Sequence, residues 1–176
     1  MVKRKFRLLR VARASTGSAM GVLRVGPHVI PVALGRGGIR ANKFEGDGAT
    51  PRGRFRLVRI WWRADRAPRP STLLRTRPIS IDDGWCEDPS DRNYNRAVQL
   101  PFSNGADRLW RKDALYDFVI QLDHNTRPRI ARRGSAVFIH VARANLAPTA
   151  GCIALPAPVL KRLLAQLSRH AEIEIG

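Results

Sequence analysis

Val137-Phe138-Ile139-His140-Val141, followed by Thr149-Ala150-Gly151-Cys152-Ile153-Ala154-Leu155, sets an imidazole and a thiol twelve positions apart on two apolar runs. A thiol attacks a carbonyl as its thiolate, and an imidazole is the usual proton acceptor near neutral pH. Gly151 lets the chain turn tightly before the cysteine, so that backbone N–H groups converge where a carbonyl oxygen gains charge. A helix is expected shortly after Cys152, its N-terminal end favouring the thiolate. Taken singly, a cysteine among Ile, Ala and Leu is a small buried hydrophobe, and a histidine in a strand is a core residue. Their conjunction with Gly151 favours a cysteine acyl-transfer site.

The surrounding segments carry a resemblance. Gly134-Ser135-Ala136-Val137-Phe138-Ile139-His140, with Pro148-Thr149-Ala150-Gly151-Cys152-Ile153-Ala154-Leu155, is similar to the catalytic signature of YkuD-type L,D-transpeptidases, which cross-link peptidoglycan. Gly46-Asp47-Gly48-Ala49-Thr50-Pro51-Arg52-Gly53-Arg54-Phe55 resembles the same family's G-x-x-x-T-P-x-G-x-F element. Trp85-Cys86-Glu87-Asp88, Tyr94-Asn95-Arg96 and Tyr116-Asp117-Phe118-Val119-Ile120 are similar to blocks of one subgroup.

The resemblance implies Cys152 as nucleophile, His140 as base and Gly151 as an oxyanion-hole contributor. Thr149 matches a family Ser or Thr, and with Tyr94, Asn95, Trp85 and Arg143 it makes up the expected substrate-binding set. Ala150 stands where a second His is frequent and Ala154 where an Arg is frequent, which makes Arg143 the candidate for a substitute cation. The implied reaction runs through a thioester acyl-enzyme on peptidoglycan stems and glycan, with reactivity toward carbapenem-type inhibitors. The subgroup implies the first L-alanine carbonyl as donor, giving 1,3 cross-links. An L,D-carboxypeptidase or endopeptidase using the same thiol is the alternative, and a noncatalytic polyanion-binding protein the third reading.

Composition sets the frame. The 176 residues are 44% hydrophobic, enough for one core without disulfide support. The expected organisation is a basic segment over residues 1–19, contributing to a first strand, and a single catalytic domain over 20–176 with a proline-rich insert at about 66–80. Cys86 and Cys152 read as thiols, since pairing them would block the nucleophile. His28, His124, His140 and His170 are scattered without a metal-ligand spacing, so neither metal nor other cofactor is expected, and the chain is expected to be a monomer.

The formal net charge of +18 attracts polyanions, yet no helix-turn-helix, zinc-finger or RNP-like motif accompanies it, and no nucleic acid is expected. The start, Met1 to Arg7, resembles a positive n-region, but Arg7, Arg10 and Arg13 break the apolar stretch of a conventional signal peptide. The resemblance places the substrate in the periplasm or cell wall; a cytoplasmic location is the alternative.

The pattern predicts a mainly β chain with a helix near its C-terminal end, and the resemblance implies an α+β fold, a sandwich or barrel of mixed sheets with that helix packed beside the cysteine loop. Gly21–Val25 and His28–Leu34 form a hairpin-like start, and Arg54–Ile60, Tyr116–Leu122 and Val137–Val141 continue as strands. Val159, Leu160, Leu163, Leu164 and Leu167 trace a helical face, and Ala171–Ile175 alternates as a closing strand. Prolines 68, 70 and 78 exclude a central strand there, and the segment reads either as a tolerated surface insertion or as a wall of the substrate groove. Trp85, Tyr94 and Asn95 suit either peptide and sugar contacts or a buried satellite cluster.

Overall fold

Alternation of apolar residues with arginine along the N-terminal segment, Phe6 to Arg13, buries Leu9 and Val11 and leaves Arg10 in water, as a half-buried strand requires. A computed structural model describes residues 5–15, 19–102 and 105–176. Residues 1–4 and 16–18, within the predicted basic segment, lie outside them. In chain order the strands are β1 (Phe6–Arg13), β2 (Met20–Val25), β3 (His28–Ala33), β4 (Ile39–Arg40), β5 (Thr50–Pro51), β6 (Gly53–Trp62) and β7 (Thr76–Pro78). Then come β8 (Asp83–Cys86), β9 (Arg96–Gln99), β10 (Ala106–Arg108), β11 (Phe118–Leu122), β12 (Phe138–Val141), β13 (Ile153–Leu155), helix α1 (Ala157–Leu164) and β14 (Leu167–Ile175).

The large sheet runs β11-β12-β13-β3-β2-β1-β14-β6-β7, and a further pairing of β11 with β6 closes it into a barrel. The first strand is integral to it: β1 lies between β2 and the parallel β14. β8, flanked by β10 and β9, forms a separate small sheet. Ile60, Ile120, Ile139 and Ile153 belong to the main core, together with Leu160, Leu163 and Leu164 of α1. Their neighbours Trp61, Val119 and Phe138 belong instead to a second cluster, with Trp85 of β8, Leu109 and Tyr116. Because successive side chains of a strand point to opposite faces, the second cluster sits on the outer face of β6, β11 and β12, beneath the small sheet.

The predicted hairpin, long strand and catalytic strand all form. Two details differ. The helix stops at Leu164, and Leu167 opens β14 rather than a further helical turn: it is fully buried opposite Phe6 of β1, and after a register shift Ala171, Ile173 and Ile175 alternate as the buried face. The proline-rich segment does not wall the cavity that holds Cys152. β7 adds to β6 in parallel, Ile60 against Thr76 and Trp62 against Pro78, which carries residues 69–77 to a different groove.

Leu160→Ala should cost about 2–5 kcal/mol in urea unfolding, the usual loss for a fully buried leucine. Arg162→Ala, on the exposed side of the same helix, should stay within about 0.5 kcal/mol.

Candidate active site

β12 and β13 run parallel with Ile139 opposite Ile153 and His140 opposite Ala154. Cys152, two positions before Ala154, therefore shares a face with His140 and Phe138, on the outside of the barrel. From strand spacing and rise, its Cα lies roughly 8 Å from that of His140, within side-chain reach. Both residues line one cavity of about 500 Å³.

The cysteine turn is held by a relay of hydrogen bonds linking the two sequence blocks. Thr50 Oγ1 accepts from the Gly35 N–H (2.9 Å). Thr149 N–H donates to the Leu34 carbonyl (2.9 Å), and the Arg36 N–H donates to the Thr149 carbonyl (3.0 Å). Thr149 Oγ1 then donates to the Cys152 carbonyl (2.6 Å) and accepts from the Gly151 N–H (3.1 Å). Thr149 thus braces the turn. The Gly151 N–H is spent on that brace in this state, so the residue's visible contribution is conformational. Its φ is 147°, and a Cβ there would stand 2.9 Å from the Ala49 carbonyl oxygen.

Cys152 Sγ donates to the carbonyl of Ala136 (3.2 Å), a non-glycine residue in the left-handed region at φ 50°. The Ala136 N–H donates to Asn95 Oδ1 (3.1 Å), which also accepts from Trp85 Nε1 (3.0 Å). Asn95 Nδ2 donates to the carbonyls of His124 (3.0 Å) and Asn125 (2.9 Å). Trp85 and Asn95 are therefore buried supports and do not line the cysteine cavity, contrary to the expectation that they contact substrate. Tyr94 is also buried, and its hydroxyl donates to Glu45, which does line the cavity. Arg143 lines it as well.

His140 Nδ1 lies 2.8 Å from the Val141 carbonyl oxygen. A carbonyl only accepts, so Nδ1 carries the proton and Nε2 keeps the ring's lone pair. Burial pulls the imidazole down to about 4 and pushes the Cys152 thiol up to about 12, although a hydrogen bond from the Phe138 backbone favours the thiolate. Desolvation disfavours the charged form of both groups, so the resting pair is neutral thiol and neutral imidazole. The expected help from a helix N-terminus is absent: β13 separates Cys152 from α1, and the apolar face of α1 is committed to the main core.

Several further residues, without a role expected from the sequence, line the cavity. Tyr116 packs edge-on against the His140 ring (5.5 Å between centroids) and donates its hydroxyl to Asp107 Oδ2 (2.7 Å). The Arg111 guanidinium lies over the Tyr116 ring and holds Asp113 through two hydrogen bonds of 2.9 and 2.7 Å. Burial raises Asp107 and lifts Glu87 to about 7, the other acids adding to the second shift. Glu87 and Tyr116 fall within the segments that resemble the subgroup; the spacing of Asp107 and Arg111 carries no signal. Cys86 is buried, and its thiol too is raised by desolvation.

A barrel with a thiol and an imidazole on adjacent parallel strands, opening into a polar cavity, defines an architecture suited to acyl transfer. The family model of the YkuD L,D-transpeptidase catalytic domain matches residues 4–175, and the chain belongs to that family. Neither the curated proteins nor the solved structures give a significant match to the chain.

The depressed His140 value has a consequence for stability. The unfolded imidazole takes up a proton as pH falls from about 6.5 and the folded one does not until about 4, so its contribution is present above 6.5 and is lost through that window. Glu87 runs the other way, because its folded carboxyl keeps a proton that the unfolded one releases between about 4.5 and 7. The difference between wild type and His140→Gln isolates the histidine. Across pH 6.5 to 4 in urea titrations the wild type should lose up to about 3 kcal/mol more than the variant.

Proposed function

We propose that the protein is a cysteine-dependent peptidoglycan L,D-transpeptidase in which Cys152 is the nucleophile and His140 the acid–base group. The observation that carries this reading is their placement on one face of adjacent strands, in one cavity, with His140 Nε2 left as a proton acceptor. Because the resting thiol is protonated, attack and proton transfer are coupled. As Sγ bonds to the donor carbonyl carbon, Nε2 takes the thiol proton; the C–N bond then breaks and His140 returns that proton to the departing amine. An acceptor amine attacks the thioester, gives a proton to His140, and the thiol leaves with it restored.

The lining supports a peptide-stem substrate that carries both charges. Glu45, Glu87 and Asp107 offer partners for an ammonium group, and Arg36, Arg111 and Arg143 for carboxylates. Beside the sulfur the walls are small and apolar, with Ala136, Ala150 and Ala154. A methyl side chain on the donor residue suits them, which favours the first L-alanine carbonyl and hence 1,3 cross-links. The proline-rich segment supplies no basis for that choice, since it lies away from this cavity. The substrate implies action in the periplasm or cell wall.

Incubation with defined muropeptides, read by mass spectrometry, tests the reading. Wild type and Cys86→Ser should form a thioester and cross-linked product; Cys152→Ala should form neither while remaining folded. His140→Ala should slow acylation by about 10²–10⁴-fold. A carbapenem adduct should map to Cys152, and an adduct on Cys86 alone would overturn the assignment. Hydrolysed stems without cross-links would convert the enzyme to the carboxypeptidase or endopeptidase alternative.

A further inference from the structure

A second concavity, of about 1840 Å³, lies along β6 and is larger than the cavity at Cys152. It is lined by eleven arginines against two carboxylates, Asp123 and Glu172. Of the arginines, Arg54 is paired with Glu172 and Arg77 with Asp83. The other nine carry neither an ion pair nor a side-chain hydrogen bond among the described residues. Arg59 and Arg129 each bury an Nε–H with no acceptor, and Arg129 is pulled below its ordinary value by that burial and by the nearby charge of Arg96. Guanidiniums crowded into a concave surface, with orphaned donors and few counter-charges, form a site electrostatically incomplete without an anion.

We propose that this groove binds a linear polyanion carrying closely spaced phosphates. The arginine fork matches two phosphate oxygens at once, and the guanidiniums come from three segments: Arg56 and Arg59 from the strand, Arg69 and Arg75 from the proline-rich segment, Arg127 and Arg129 from the loop after β11. Nine unpaired charges in this volume suit a chain with an anion every few ångströms, denser than carboxylates spaced along a glycan. A concave site fits a chain better than a flat lipid surface.

The aromatic residues do not serve as a base-stacking platform. Trp61 is buried and already covered by Arg77 and Arg59, at 4.5 and 5.6 Å from its ring centroid, and Trp85 is buried in edge contacts with Trp61 and Phe138. The site reads phosphate and not bases. The proline-rich segment, expected to shape the catalytic cavity, thereby acquires a different role as one wall of this groove. The proposal stands apart from the catalytic reading, because the groove shares no lining residue with the cavity of Cys152.

The test is titration of the full chain with fluorescently labelled linear inorganic polyphosphate, followed by anisotropy over a range of salt concentrations. Arg56→Gln, Arg127→Gln and Arg129→Gln together should weaken binding at least about tenfold and flatten the log–log salt slope by about 2. Arg24→Gln, Arg40→Gln and Arg162→Gln remove the same charge from exposed positions outside the groove and should weaken binding less than about threefold. Equal loss in the two triple variants would reduce the effect to net charge and overturn the groove. Two further probes run in parallel. Preference for vesicles containing anionic phospholipid over polyphosphate would overturn the linear chain in favour of a membrane surface, and an oligodeoxynucleotide of equal charge binding tenfold tighter would overturn it in favour of nucleic acid.

Discussion

The parallel register of β12 on β13 is the constraint on which the site depends. With His140 opposite Ala154, Cys152 falls on the same face as the imidazole, turned outward from the barrel. A slip of one residue would send the thiol into the main core beside Ile139 and leave the histidine alone. Ile153 and Leu155 hold the register from below, since their fully buried side chains fit only the inner face. Thr149 and Gly151 hold it from the side, by tying the turn to Leu34, Arg36 and, through Gly35, to Thr50. The two sequence blocks nearly a hundred residues apart are thus halves of one brace.

That brace places the nucleophile half-buried in the wall of the cavity, where desolvation acts in opposite directions on thiol and imidazole. Desolvation raises the thiol and lowers the imidazole, so burial works against a standing ion pair. The Ala136 carbonyl, held by Asn95, accepts the S–H and keeps the sulfur oriented while it is protonated. Reactivity then arises when a carbonyl carbon is presented to the sulfur, which makes the arrangement selective for a substrate seated in the cavity. The acidic and basic walls around it supply groups for that seating.

Runs such as Gly21–Val25 and Tyr116–Leu122 were legible because each strand has one committed inner face: Leu23 and Val25, and Phe118, Ile120 and Leu122, are buried at period two. Cys152, His140 and the tightness at Gly151 were readable for the same local reason. What escaped depends on long-range contacts. Whether Leu167 ends a helix or starts a strand is decided by the pairing of β14 with β1 and β6, which periodicity does not encode. Trp85 and Asn95 have the composition of a ligand site, and only the arrival of Ala136 shows their polar atoms consumed. Tyr116 meets His140, with Asp107 and Arg111 gathered on Tyr116, beside a loop that Arg66 ties down by donating to the carbonyls of Lys112 and Asp113 and to Asp117.

The central claim is that the resting site holds an uncharged thiol beside an uncharged imidazole protonated on Nδ1. Nitrogen-15 NMR of the His140 ring in the free protein tests it most directly. The account requires the Nδ1–H neutral tautomer from pH 7 down to about 5, with the same titration in Cys152→Ala. An imidazolium at pH 7 that discharges when Cys152 is replaced would contradict it.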